Sequence, residues 1–187
     1  MINNGKAKIE NAFGTLSISI PSRKNWVALI FGTAWLGGWY FGFQSASSMV
    51  FSGNAIGGFI IFWLIAWTVG GIAIISVLLW GYFGKEEFTA DKGEVYLKKT
   101  IFGAGIKKSM EANEIKNIRA ETIANPNSFG NNRWAFGGLG YDRWAFWGLG
   151  QGKIKFDYGF KTFSFGLAVD DAEANYIVEL MKTHFKL

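Results

Sequence analysis

The stretch from Trp26 to Gly84 contains no Asp, Glu, Lys, Arg or His, and that one fact restricts the fold more than anything else in the chain. It divides into two apolar spans, 26–43 and 56–83, on either side of the polar run QSASSMVFSGNA. As a helix the first span would cover roughly 27 Å, just enough for a hydrocarbon core about 30 Å thick. The second would cover roughly 42 Å, so it must tilt or project. Such a stretch reads as a transmembrane helical hairpin over 26–84. Two buried helices in a soluble protein are the alternative, but a chain of 187 residues has too little other material to wrap both. Ser45-Ala46-Ser47 looks like a signal-cleavage site, yet the apolar run before it starts late and is long, so the hairpin is expected to stay intact.

The charges sit on both flanks of this stretch. Residues 1–25 carry Lys6, Lys8, Arg23 and Lys24 against Glu10, the connection between the spans carries none, and residues 85–187 carry the remaining 15 basic and 13 acidic groups. The positive-inside rule then places both termini in the cytoplasm. With no ionisable group inside the spans, the hairpin alone cannot form a proton relay or an ion path. The chain has no cysteine, which excludes disulfides and thiolate metal sites.

Within 1–25, Leu16, Ile18 and Ile20 alternate with Ser17 and Ser19, the pattern of one half-buried strand ended by Pro21. That strand is expected to dock on the domain after the hairpin. In the first span Ala34, Gly38 and Gly42 recur every four residues, and Ala66 and Gly70 offer a similar face in the second. Small faces let helices approach closely in lipid, so these residues are expected to pack the two spans together; a groove for a partner's helix is the alternative. Trp26, Trp39, Tyr40, Trp80 and Tyr82 lie near the predicted boundaries, where amphipathic rings serve as anchors.

From residue 85 the pattern changes to short alternating segments. Turn signals fall at Asp91-Lys92-Gly93 and Gly103-Ala104-Gly105, and KIKFDYG followed by FKTFSFG predicts a hairpin about Gly159, with Ile154, Phe156 and Tyr158 on one face. Asp170 or Asp171 then caps a helix whose Ala174, Ile177, Leu180, Met181 and Phe185 form one stripe. Strands followed by one amphipathic helix predict an α+β membrane protein: a two-helix hairpin plus a small antiparallel sheet or barrel closed by the C-terminal helix.

The order T-x-D-x-G (Thr89 to Gly93), a hairpin with paired lysines, N-E-I-K-N-I-R (Asn113 to Arg119), further strands and a closing helix resembles the bacterial pleckstrin-homology-like (PH-like) domain. With IPSRKNW before the first span, WTVGG inside the second and FGKEE after it, the chain is similar to bacterial membrane proteins in which two N-terminal spans precede such a domain. The resemblance implies a PH-like domain over 85–187 at the bacterial inner membrane. It implies no activity, because a fold does not fix a function.

RWAFGGLGYD at 133–142 is followed at once by RWAFWGLGQG at 143–152. If both copies are extended, Trp134, Phe136, Trp144 and Phe146 share a face, with Arg133, Arg143 and Trp147 on the other. The aromatics could cover the domain's own core, enter the membrane face or dock on another subunit; nucleic acid is not expected, because the charge balance of the domain is small. Its glycines read as turns, since a strand and not a helix follows them. The paired lysines Lys98, Lys99, Lys107 and Lys108 would lie across one hairpin, as a solvated face or as an attraction to anionic lipid. His184 is the single histidine, and the adjacent pairs Glu86-Glu87 and Asp170-Asp171 read as a solvated boundary and a helix cap. Neither a nucleophile with its base nor a metal-ligand cluster is recognisable, so no enzyme and no cofactor is expected. The expected role is that of an accessory or assembly subunit binding a larger membrane complex or another copy of itself, with a lipid-binding module as the alternative.

Overall fold

A computed structural model describes residues 5–52, 58–121 and 151–186. Strands β1 (Lys8–Ala12) and β2 (Thr15–Pro21) precede helices α1 (Trp26–Phe51) and α2 (Gly58–Phe83). Strands β3 (Gly84–Asp91), β4 (Glu94–Ile101), β5 (Ala104–Glu111), β6 (Ile115–Ala120), β7 (Ile154–Tyr158) and β8 (Lys161–Phe165) follow, and α3 (Asp171–Phe185) closes the chain.

The helical pair interrupts a β-meander. Strands β2 and β3 are antiparallel neighbours, with Ile18 opposite Phe88 and Pro21 opposite Lys85, so the whole hairpin stands where a tight turn would otherwise join them. The junction is tied by backbone and side chain. The Ser22 N–H donates to the Gly84 carbonyl at 2.9 Å, and the buried Ser22 Oγ donates to the Gly81 carbonyl at 3.0 Å, satisfying an oxygen at the end of α2. Asn25 caps α1, its side chain accepting from the Ala28 N–H at 3.3 Å. At the other end of the hairpin α2 enters β3 without an intervening residue.

Both helices are long and apolar enough to cross a membrane, and only 17% and 6% of their most hydrophobic windows are buried. Their apolar side chains are thus mostly turned outward and are not the buried core of this fold. Helix α1 runs on through the polar run as far as Phe51, beyond the 26–43 expected from composition, and Ser47, Ser48 and the C-cap Ser52 satisfy their hydroxyls on carbonyls of the preceding turn.

The helix pairing differs from the expectation. The less exposed positions of α1 include Leu29, Gly32, Leu36, Trp39, Phe43, Ala46 and Val50, and those of α2 include Ile60, Leu64, Trp67, Gly71, Ile74, Leu78 and Gly81. Steps of three and four alternate along both, the heptad seam of left-handed helix packing. Trp39 covers Gly71, Leu29 covers Gly81, and the Trp67 ring would lie 3.2 Å from a Cβ at Gly42. Ala34, Gly38, Ala66 and Gly70 are instead exposed, and a Cβ at Gly38 or Gly70 would meet nothing within 4 Å. A four-residue repeat drifts about 40° per step around an α-helix, so of Ala34, Gly38 and Gly42 only the last reaches the seam. Trp39 is accordingly a packing residue of the helix pair.

The remaining chain forms two antiparallel sheets, of order β1-β2-β3-β4-β5 and β6-β7-β8. They do not close into a barrel: β5 is an edge strand with every residue exposed except Met110. Helix α3 packs against β6 and β7 and fills the space between the sheets. Leu16, Ile18, Ile20, Phe88, Val95, Ile154, Phe156, Phe165, Ile177 and Met181 form the core, with Phe88 stacked on Phe165 at 5.2 Å and edge-on to Phe156 and Phe185. The N-terminal strand docks as expected, but residues 1–25 hold two strands and not one. β1 has only Ile9 facing inward as an apolar side chain, too little alternation to read, and it reverses into β2 through Phe13-Gly14, both in the left-handed region. The first residues are held at the start of α3: the Ala7 N–H donates to Glu173 Oε1 at 2.8 Å, and Lys6 Nζ to the Ala168 carbonyl at 3.1 Å. Asp170 is the α3 cap, accepting from the Glu173 N–H at 2.7 Å.

Candidate functional site

The end of the β-domain next to the hairpin carries the paired lysines that the sequence singled out. The β4–β5 hairpin does carry Lys98, Lys99, Lys107 and Lys108, but strand alternation divides them between two faces. Lys98 and Lys107 are directly opposite on the outer face, with Glu87 across from Lys98 on the other side and the Tyr96 ring 3.7 Å from Lys107 Nζ. Lys99 and Lys108 point inward. Lys99 pairs with Glu86, and Lys108 Nζ lies 5.1 Å from the Phe163 ring centroid. The four lysines are therefore not one basic patch.

Glu86 is not a solvated boundary residue. It occupies an inner position of β3, in alternation with Phe88 and Ala90, and is 5% exposed. Oε1 meets Lys99 Nζ at 2.9 Å, and Oε2 accepts from the Gly166 N–H at 2.6 Å. Lys99 Nζ also sits 5.9 Å from the ring of Trp80, which is buried in the last turn of α2 and so is not a membrane-boundary anchor. This carboxylate thus joins the end of the hairpin, the first sheet and the segment that leads into α3. The period-two register of GKEEF already points it inward; its adjacency to Glu87 concealed that.

Outer-face charges sort along the strands. Nearest the hairpin stand Arg23, Lys24 and Lys85, all exposed, then the row Glu87-Lys98-Lys107. A neutral row of Thr89, Tyr96 and Ser109 follows, and the far end carries Asp91, Glu94 and Glu111. On this face of the larger sheet the basic groups outnumber the acidic ones toward the hairpin, and the acidic groups outnumber the basic ones away from it.

A second polar cluster covers the outer face of the smaller sheet. A bulge between Lys116 and Arg119, with Asn117 left-handed, aims Asn117 and Arg119 at Asp157. Asp157 accepts from Thr162 at 2.7 Å, Asn117 at 3.0 Å and Arg119 at 3.2 Å, while Glu121 pairs with Arg119 at 2.9 Å and with Lys155. The Thr162 hydroxyl, then Asn117 and Arg119, hold the Asp157 carboxyl below its usual range; Lys155, then Arg119, do the same for Glu121. Every acid is already matched by donors, so the cluster has no free base for chemistry. Groups with depressed folded-state pKa stabilise above the unfolded value and lose that contribution as pH falls through the folded one. The thermal midpoint should thus hold steady from neutrality and decline below about pH 4, and Asp157→Asn should flatten the decline. Because both acids are partly open to solvent, the effect is modest.

Arg133, Trp134, Phe136, Arg143, Trp144, Phe146 and Trp147 lie outside the described residues. Of the repeat's glycines, Gly152 is described: it is buried against the backbone of Phe165, with no room for a Cβ. Close backbone approach is what it permits. His184 stands in the last turn of α3 with its ring edge-on to Phe185. Among the described residues no three His, Asp or Glu side chains gather as a metal site.

A scan against protein-family models finds no match to this chain, and a search of curated proteins finds none either. The functional reading therefore rests on the chain's own geometry.

Proposed function

We propose that this chain is a non-catalytic accessory or assembly subunit of a bacterial inner membrane, docking through its hairpin to a larger membrane complex or to further copies of itself. The observation that carries this is the outward orientation of Ala34, Gly38, Ala66 and Gly70. The heptad seam satisfies the pairing of α1 with α2 and leaves these small faces open. In lipid a smooth helix face gains nothing from burial against acyl chains, but lets a second helix backbone approach closely. Orientation with both termini in the cytoplasm is supported by the basic residues Lys6, Lys8, Arg23, Lys24 and Lys85 at one end of the hairpin. A PH-like identity for the domain is supported by a meander, a second three-stranded sheet and a closing helix in that order.

The test is mild-detergent extraction of the full chain from its native membrane, comparing wild type, Gly38→Leu with Gly70→Leu, and Ile72→Leu as an exposed control. Wild type and control should elute in one complex of fixed stoichiometry, and the double variant as a single 20.8 kDa chain in its own micelle. Elution of the wild type alone would remove the proposal. Gly71→Leu, which drives a side chain into Trp39, should instead disrupt the hairpin itself.

The basic end of the domain favours a second reading, a lipid-binding module that uses Lys98, Lys107 and their neighbours. It requires salt-dependent binding to anionic vesicles that weakens when both lysines become glutamine.

A further inference from the structure

The depth of the hairpin in the bilayer is set by its shorter apolar span. Helix α1 offers only about 27 Å of apolar surface from Trp26 onward before the polar run, against a core of about 30 Å. The hydrocarbon boundary must then fall close to Trp26. That residue is level with Tyr82, its ring 6.4 Å away, so the surplus length of α2 projects at the opposite end. One residue beyond Tyr82 is Phe83, 47% exposed, and tilted against its ring at 4.4 Å is Phe102, at the tip of the β4–β5 turn and 73% exposed. The register explains the proximity: Gly84 is paired with Ile101, so the turn after β4 rises to the level where α2 ends. Ile106, also 73% exposed, follows on β5.

We propose that Phe102 and Ile106 insert into the headgroup and acyl boundary of the leaflet from which the hairpin emerges, making the β4–β5 turn a second, peripheral anchor that fixes the tilt of the domain. Two independent observations identify the occupant as lipid. The turn is continuous with the membrane-spanning surface through the contact of Phe83 with Phe102. At this end of the sheet Arg23, Lys24, Lys85, Lys98 and Lys107 outnumber the outer-face acid Glu87, a balance of the sign that an anionic leaflet attracts, whereas Asp91, Glu94 and Glu111 lie at the far end of the same strands. The inference rests on the reading of α1 and α2 as membrane spans.

The chain has no native cysteine, so single cysteines report cleanly. Full-length Phe102→Cys, Phe13→Cys and Val69→Cys would each carry a bimane label in nanodiscs of phosphatidylcholine and phosphatidylglycerol, with and without lipid spin-labelled near the headgroup or at mid-chain. Phe13 is the matched control: it is fully exposed, shares the left-handed backbone and following glycine of Phe102, and lies at the opposite end of the sheet. Phe102→Cys should be quenched several-fold more than Phe13→Cys by headgroup-proximal spin label, and Val69→Cys most strongly by mid-chain label. Quenching at 69 with none above the Phe13 level at 102 would overturn the inference alone. No quenching at 69 would overturn the membrane reading and this inference with it. Ile106→Cys gives the same readout from within a strand if the turn variant does not fold.

Discussion

Phe88→Ala is expected to lower the thermal midpoint of the β-domain by roughly 10–20 °C, followed by far-UV circular dichroism of the full chain in nanodiscs. Phe88 is fully buried on the strand that continues α2, and three other phenylalanine rings surround it: Phe165 stacked at 5.2 Å, Phe156 at 6.1 Å and Phe185 at 6.4 Å. Truncation forfeits the transfer energy of the ring and leaves a cavity that three rigid neighbours on separate elements cannot collapse into, a loss of about 3–5 kcal/mol. For a domain of this size each kcal/mol is worth roughly 4 °C. Phe88→Leu, which keeps much of the volume, should lose less than half as much. Equal midpoints for wild type and Phe88→Ala would mean that the sheets do not pack through this cluster.

Glu86→Ala is expected to cost about 2–3 kcal/mol, and Glu86→Gln about 1 kcal/mol. The alanine variant strands the Gly166 N–H without an acceptor and releases Lys99, whereas glutamine retains an oxygen for the N–H. The full penalty of roughly 3–5 kcal/mol for breaking a buried ion pair does not apply, because the Lys99 side chain is 43% exposed and regains water. Amide hydrogen exchange at Gly166 distinguishes this from a general loosening. The amide should be protected in wild type, partly protected in Glu86→Gln and fast in Glu86→Ala, at temperatures where β3 and β4 keep their protection. If Gly166 stayed protected in Glu86→Ala, the carboxylate would not be what holds the segment before α3 to the hairpin end of the sheet.

Much of the architecture was legible because it depends on local pattern. Leu16, Ile18 and Ile20 alternate, and they form a buried strand row against β3. The hairpin about Gly159, the Asp170 cap and the α3 stripe likewise follow from residues within a few positions of one another. The failures have a common cause. In a helix that is apolar on every side, periodicity carries no information about which face meets its neighbour. Ala34, Gly38, Ala66 and Gly70 therefore drew attention as packing residues, while the seam runs through Trp39 and Gly71. Adjacency of the lysines in sequence does not show which of them share a face until the strand's register against Glu87 and Glu86 is known.

The amino-acid sequence by itself determined that two charge-free helices flank an uncharged connection, that a β-rich domain with one amphipathic helix follows, and that positive charge collects at one end of the spans. These properties are sums over composition and short-range period, and no distant residue can alter them. Tertiary structure decided that the hairpin is inserted between two paired strands, that Glu86 is buried against Gly166, and that Phe102 stands beside Phe83 where α2 ends. Each of those depends on segments far apart in the chain meeting in one register, and register is fixed by which side chains fill the shared core.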